Sequence, residues 1–156
     1  MNESVPHRLY RAFAARDWRT VGALYADDAV FNDPAFVNLN ADQVRAMWRM
    51  LFERGKDMTV TFVVHEDTPQ SARVTWTATY TFSQTGRKVV NVINADLQLR
   101  DGLIVRHTDT FDFHRWSSQA LGLIGALAGW SGWLRGKVSG KAMAGLRQFM
   151  ERNPSR

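Results

Sequence analysis

Between Ala72 and Ser83 the chain alternates almost without error. Val74, Trp76, Ala78, Tyr80 and Phe82 fall on one side, and Thr75, Thr77, Thr79 and Thr81 on the other. A period of two over that length describes a β-strand with one buried and one solvated face, and threonine suits the solvated one. Met58–His65 precedes it across the turn residues Glu66–Ser71, and Arg87–Leu99 and Leu103–Phe113 continue the pattern. Such a meander needs a partner for its apolar face. Upstream, the period is 3.6. Leu9, Ala12 and Phe13 share a face between Val5 and Ala15, with Tyr10 beside them. Asp17 reads as the cap of a second helix whose stripe is Trp18, Val21 and Tyr25. Asn40, with Gln43 three residues on, opens a third helix that carries Val44, Met47, Trp48 and Leu51 and ends at Gly55. Between the second and third helices the chain is extended up to Asp33, because Pro34 bars the preceding residue from the helical region. The prediction is an α+β domain with helices on one face of a bent antiparallel sheet.

Hairpin registers decide which side chains meet. A two-residue turn at Thr85-Gly86 would pair Trp76 with Ala95, Ala78 with Ile93 and Tyr80 with Asn91. The next hairpin has two solutions. A two-residue turn at Asp101-Gly102 would put His107 and Asp109 on the threonine side, together with Asn94 and Asp96. A three-residue turn, Arg100-Asp101-Gly102, pairs Ile93 with Asp109, Ala95 with His107 and Leu97 with Val105, and sets Asp96 opposite Arg106. The second solution gathers the apolar residues of all three strands on one side. Burial of one face penalises a one-residue slip, so the three-residue turn is preferred.

That face is an apolar wall broken by three polar side chains, Asn91, His107 and Asp109. A concave apolar surface with a few convergent polar groups is the usual form of a small-molecule site. A carboxylate there either is raised in pKa by desolvation or stays charged beside a histidine, and both states suit proton transfer near neutral pH. The alternative is a satisfied ion pair with no chemistry. No metal is expected, since Cys is absent and no two histidines have ligand spacing. No glycine-rich phosphate loop or nucleophile elbow occurs.

Tyr25–Pro34 (YADDAVFNDP), the helix after it, and Asp101–Trp116 (DGLIVRHTDTFDFHRW) resemble the nuclear-transport-factor-2-like superfamily. Within it they are similar to the SnoaL-like, ketosteroid isomerase and limonene epoxide hydrolase branches, over roughly residues 5–115. The resemblance implies a cone in which a curved sheet wraps three N-terminal helices around a deep pocket. Asp33 matches the position of the isomerase general base. The isomerase's tyrosine donor falls near Leu9, with Tyr10 one place off, and its aspartate partner falls at Ala95. Asp109 matches one carboxylate of the epoxide hydrolase set and Asn32 its water-holding asparagine. The Arg and second Asp of that set fall at Trp76 and Ala78, which disfavours epoxide hydrolysis. Asp109 with His107 is closest to the acid/base aspartate of SnoaL-like cyclases. The expected function is therefore a cofactor-independent isomerase or cyclase for an apolar polyketide, terpenoid or steroid. Asp109, His107 and Asp33 are the candidate catalytic groups, and Asn32, Trp48, Trp76, Tyr80, Asn91, Ile93 and Phe111 the candidate ligand-binding groups. A non-catalytic binder, or a dimerising platform with a vestigial pocket, is the alternative.

The net charge of +5 does not belong to this body: residues 1–115 hold 14 basic and 14 acidic groups. Residues 116–156 hold six basic groups against Glu151, and seven of the eleven glycines at helical spacing. Trp116–Leu134 is uncharged, but serines and glycines dilute its hydropathy. These residues are expected to form helices that close the cone or pack on a second subunit, their basic groups solvated. Nucleic acid and membrane contact are not expected. A homodimer is expected, and a cytoplasmic location, since no signal peptide is visible at the N-terminus.

Overall fold

The computed structural model describes residues 3–154. Three helices, α1 (Val5–Ala14), α2 (Trp18–Ala23) and α3 (Ala41–Arg54), are interleaved with strand β1 (Tyr25–Asn32). Four strands follow, β2 (Thr59–Asp67), β3 (Ser71–Phe82), β4 (Arg87–Arg100) and β5 (Leu103–Thr110). Helices α4 (Phe113–Leu121), α5 (Leu123–Ala128) and α6 (Gly132–Arg152) end the chain. The strands form one unclosed sheet, ordered β1-β5-β4-β3-β2, with β1 parallel to β5 and the others antiparallel.

Local chemistry sets the helix starts. The Asp17 side chain accepts from the Thr20 N–H, and Asn40 and Gln43 exchange side-chain-to-backbone bonds at the start of α3. The second helix is shorter than its stripe suggests. It stops at Ala23, and Tyr25 begins β1 instead. The apolar faces of α1 and α3 meet the inner face of the sheet. Tyr10, Phe13, Trp48, Phe52 and Trp76 pack there with ring centroids 4.4–6.2 Å apart and fill the interior with aromatic rings.

Both predicted hairpin registers are corrected. The β3–β4 connection has four residues, Ser83–Gly86, so Trp76 pairs with Ile93, Ala78 with Asn91 and Tyr80 with Val89. The shift is two residues, which leaves every side chain on its expected face. At the β4–β5 turn, Arg100 pairs with Leu103 around Asp101 and Gly102, both at positive φ (53° and 76°). This is the two-residue turn that Asp-Gly favours, not the three-residue turn. Val105 is then an extra residue, because Leu99 pairs with Ile104 but Gln98 with Arg106. Beyond it Leu97 pairs with His107, Ala95 with Asp109 and Asp96 with Thr108. The expected Asp96–Arg106 pair does not form. The bulge restores the parity that a two-residue turn would have lost, and His107 and Asp109 return to the apolar face.

Helix α4 lies on β4, with Phe113 and Trp116 packed around Val89, Tyr80, Phe82 and Phe111. Helix α6 runs back to α3, where Leu146 is buried in the main core. On the way its Ser139 hydroxyl donates to the Ala35 carbonyl at 2.6 Å.

Candidate functional site

The bulged strand β5 presents His107 (0% exposed) and Asp109 (3% exposed) side by side on the buried face. His107 Nε2 lies 2.8 Å from Asp109 Oδ1, and its Nδ1 lies 2.7 Å from the Tyr25 hydroxyl. The Trp48 indole N–H donates to that same hydroxyl at 3.0 Å. These four groups determine their own proton positions. The indole can only donate, so the phenol oxygen accepts from it and gives its one hydrogen to Nδ1. Nε2 then carries the imidazole hydrogen and donates to the Asp109 carboxylate. Aromatic rings enclose the imidazole. Tyr25 is stacked at 6.1 Å, Trp48 lies at 6.2 Å, and Phe31 stands edge-on at 4.9 Å.

The backbone that carries Tyr25 is itself anchored. Arg45 on α3 donates to the Gly22 carbonyl at 3.0 Å and to the Tyr25 carbonyl at 2.8 Å, tying α3 to the start of β1. Burial pushes the Tyr25 phenol well above its ordinary pKa, so it acts in this chain as a neutral hydroxyl.

Asp33 follows the end of β1. Its Oδ1 accepts from the backbone N–H groups of Ala35 and Phe36 at 2.7 and 2.6 Å, the turn-forming role of an Asp before proline. Its carboxyl is nonetheless raised to about 7, first by burial. The bond from Phe36 pulls it down, the Asp109 charge raises it further, and the Ala35 bond and His107 oppose the rise. Asp33 thus shares an electrostatic neighbourhood with His107 and Asp109.

The remaining predicted residues divide. Trp76, Ile93 and Asn91 are buried on the inner face, while Tyr80 and Phe111 are half-buried. Burial raises the pKa of Tyr80, Trp116 bonding lowers it, and the Asp33 charge raises it. Asn32 is engaged elsewhere: its Oδ1 accepts from the Asn38 N–H at 2.8 Å and braces the loop after β1. Asn32 and Asp33 each serve that loop, from neighbouring positions on an extended strand.

Three groups were missed from sequence: Tyr25, Tyr10 and Trp116. Trp116 donates to the Tyr80 hydroxyl at 2.8 Å, so the tail contributes to the site's rim. Tyr10 Oη and Trp76 Nε1 are fully buried polar atoms with no hydrogen-bond partner among the described residues. Burial raises the Tyr10 phenol well above its ordinary pKa, and the Asp109 charge adds to the rise. An orphaned buried donor costs about 1–3 kcal/mol, so two on rings only 5.8 Å apart call for an acceptor. Tyr10 carried a signal in its one-place offset from the isomerase donor position, and Trp76 was expected as a ligand-binding residue; the missing hydrogen-bond partners of both polar atoms were not visible. Among the described residues no cluster of three or more His, Asp or Glu could hold a metal ion. Two open surface clefts lie elsewhere, one beside the β4–β5 turn and one between α2, α3 and the end of α6.

A curved sheet wrapped on N-terminal helices, with polar groups on its inner face, defines the nuclear-transport-factor-2-like class. The chain belongs to the SnoaL-like domain family, whose model matches residues 7–107. Among solved structures it is similar to IdmH from Streptomyces antibioticus, a proposed polyketide cyclase. The two are 25% identical with a TM-score of 0.63, over 76% of this chain and 96% of that one. It also resembles an LEH-like epoxide hydrolase of M. tuberculosis (18% identity, TM-score 0.59, 80% of this chain and 90% of that one). A third neighbour is a protein with a ketosteroid isomerase-like fold from Catenulispora acidiphila, in complex with trimethylamine. It is 12% identical with a TM-score of 0.64, over 77% of this chain and 94% of that one. At those two identities the likeness is one of fold. No functionally curated protein matches.

Proposed function

We propose that this chain is a small acid/base enzyme, isomerase- or cyclase-like and independent of a cofactor, acting on an apolar molecule of polyketide, terpenoid or steroid type. The observation that carries the reading is the buried Trp48–Tyr25–His107–Asp109 chain; beside it in charge, Asp33 is raised to about 7, first by burial and also by the Asp109 carboxylate. Asp109 is the base that takes a proton from carbon next to a carbonyl. His107 orients it and holds its charge, and Tyr25 fixes the histidine tautomer. Tyr10 Oη–H and Trp76 Nε1–H supply the donors that a developing enolate oxygen needs. Asp109, now protonated, returns the proton to a different carbon; where Asp33 gives its own proton instead, Asp109 releases its proton to water and Asp33 takes one from water, which resets the pair. Ligand enters past half-buried Asp33, Tyr80 and Phe111, with Asn91 on the wall. The epoxide route is disfavoured, because Trp76 and Ala78 stand where that chemistry needs Arg and Asp.

The test is hydrogen–deuterium exchange next to the carbonyl of a panel of apolar ketones, followed by NMR in deuterium oxide. The protein should catalyse exchange, and Asp109→Asn should bind the same ketone without exchanging it. A protein that binds ketones but exchanges none is a binding module. The aromatic filling of the cone favours a second reading, a dimerising platform with a vestigial pocket. No binding by any ketone, with a dimer in solution, would establish that one. In either case the proposed homodimer surface is the outer sheet face, where Val63, Val90 and Val92 are exposed among the threonines.

A further inference from the structure

Helix α5 packs with its small side inward. Gly125 and Gly129 lie against α4, where a Cβ on Gly125 would fall on the Ser117 carbonyl and one on Gly129 on the Ser117 hydroxyl. The Ser117 hydroxyl and the His114 ring reach the Gly125 and Ala126 carbonyls, at 3.4 and 3.0 Å. With that side held, the large side chains point out. Leu123 is 74% exposed, Ile124 63% and Leu127 71%, and Trp130 and Trp133 beyond the helix are 75% and 62% exposed. A helix bathed in water buries its leucines and shows its small residues; α5 does the reverse. Contiguous exposure of five large apolar groups marks a surface for an apolar partner.

The charge around the patch identifies that partner. From Phe113 to Met150 there is no Asp or Glu, while Arg115, Arg135, Lys137, Lys141 and Arg147 are all exposed. Trp133, Lys137 and Lys141 recur every four residues on one side of α6, with Lys137 Nζ 4.9 Å from the Trp133 ring. A second copy docking here by two-fold symmetry would set two acid-free basic surfaces face to face. An anionic bilayer instead offers opposite charge and an apolar layer under it, and tryptophan settles at that boundary. No helix among the described residues is long and apolar enough to cross a membrane, which fits an element lying in the interface plane.

We propose that the α5–α6 corner docks this protein on anionic lipid surfaces. Leu123, Ile124, Leu127, Trp130 and Trp133 enter the headgroup boundary, and Lys137 and Lys141 meet the lipid phosphates. From sequence alone no membrane contact was expected; the outward turn of the tail's apolar groups is the ground for proposing it. The inference is independent of the reaction proposed above.

The test is flotation of the full chain with vesicles of phosphatidylcholine, with and without phosphatidylglycerol, beside sedimentation velocity without lipid. The protein should float with the phosphatidylglycerol vesicles, and less so at high salt. Leu127→Ser combined with Trp130→Ser and Trp133→Ser should cut the bound fraction about tenfold or more, with an unchanged circular dichroism spectrum. Lys137→Glu with Lys141→Glu should remove the preference for phosphatidylglycerol. Absence of flotation with either vesicle overturns the proposal. So does a dimer that the triple variant splits while the intact chain ignores lipid, since the face then belongs to a second copy.

Discussion

On the inner face of β5, His107 and Asp109 are polar groups kept away from water; on α5, Leu123, Ile124 and Leu127 are apolar groups kept in it. Each arrangement is disfavoured alone. The first is compensated within the chain, because Tyr25 and Asp109 satisfy the two imidazole nitrogens and Trp48 donates to the Tyr25 hydroxyl. The second has no compensation inside the described residues. A buried polar group that is fully supported points to chemistry performed by the fold itself, whereas an exposed apolar face points to something outside it. The body and the tail therefore answer different questions.

The sharpest way to break the contrast is at Asp109. Asp109→Asn keeps the shape and removes the charge, and turnover should fall about 10²–10⁴-fold with ligand affinity within a few-fold, as measured by single-turnover kinetics and titration. Next comes the support. Tyr25→Phe leaves the Trp48 indole and His107 Nδ1 buried without their shared partner, and should cost about 1–3 kcal/mol in urea unfolding.

Asp33 comes third, and its sign is opposite to that of a salt-bridged carboxylate. Its pKa is raised in the folded state, to about 7, so its contribution to stability is whole below the unfolded value and is lost as pH rises through 7. Thermal unfolding of the native protein and of Asp33→Asn at pH 5 and pH 8 should therefore differ in pH dependence. The native protein should lose of order 1 kcal/mol more than the variant on going up. The smallest expected effect is on the tail. Gly125→Ala drives a methyl into the Ser117 carbonyl and lifts α5 from α4. Amide exchange should speed up in α5 alone, with the melting temperature moving by only about 2–4 °C.

Much of this was legible from two periods. The alternation from Val74 to Phe82 and the Asn40–Gln43 cap predicted β3 and α3, and the apolar stripes predicted what faces what. The resemblance in Tyr25–Pro34 pointed to the cone. The parallel pairing of β1 with β5 was not visible, because it joins strands some 80 residues apart with no turn to announce it. Tyr25 was misread as the end of a helical stripe, since residues spaced by seven look the same until the helix stops. The orphaned hydroxyl of Tyr10 could not be seen from sequence either. A phenol on an apolar stripe reads as packing, and only the three-dimensional surroundings show whether its oxygen has found a partner.

The extra residue at Val105 makes the inner face depend on backbone geometry as well as on side-chain identity. With the two-residue turn kept and the bulge flattened, His107 would move opposite Asp96, and both His107 and Asp109 would be carried out to the threonine side together. Deleting Val105 has the milder outcome: the ladder closes without a bulge, Leu97 stays opposite His107, and both polar groups remain inward. The acidic centre therefore depends on where the strand absorbs its surplus residue, and a local kink near the turn sets the face of two side chains further along β5.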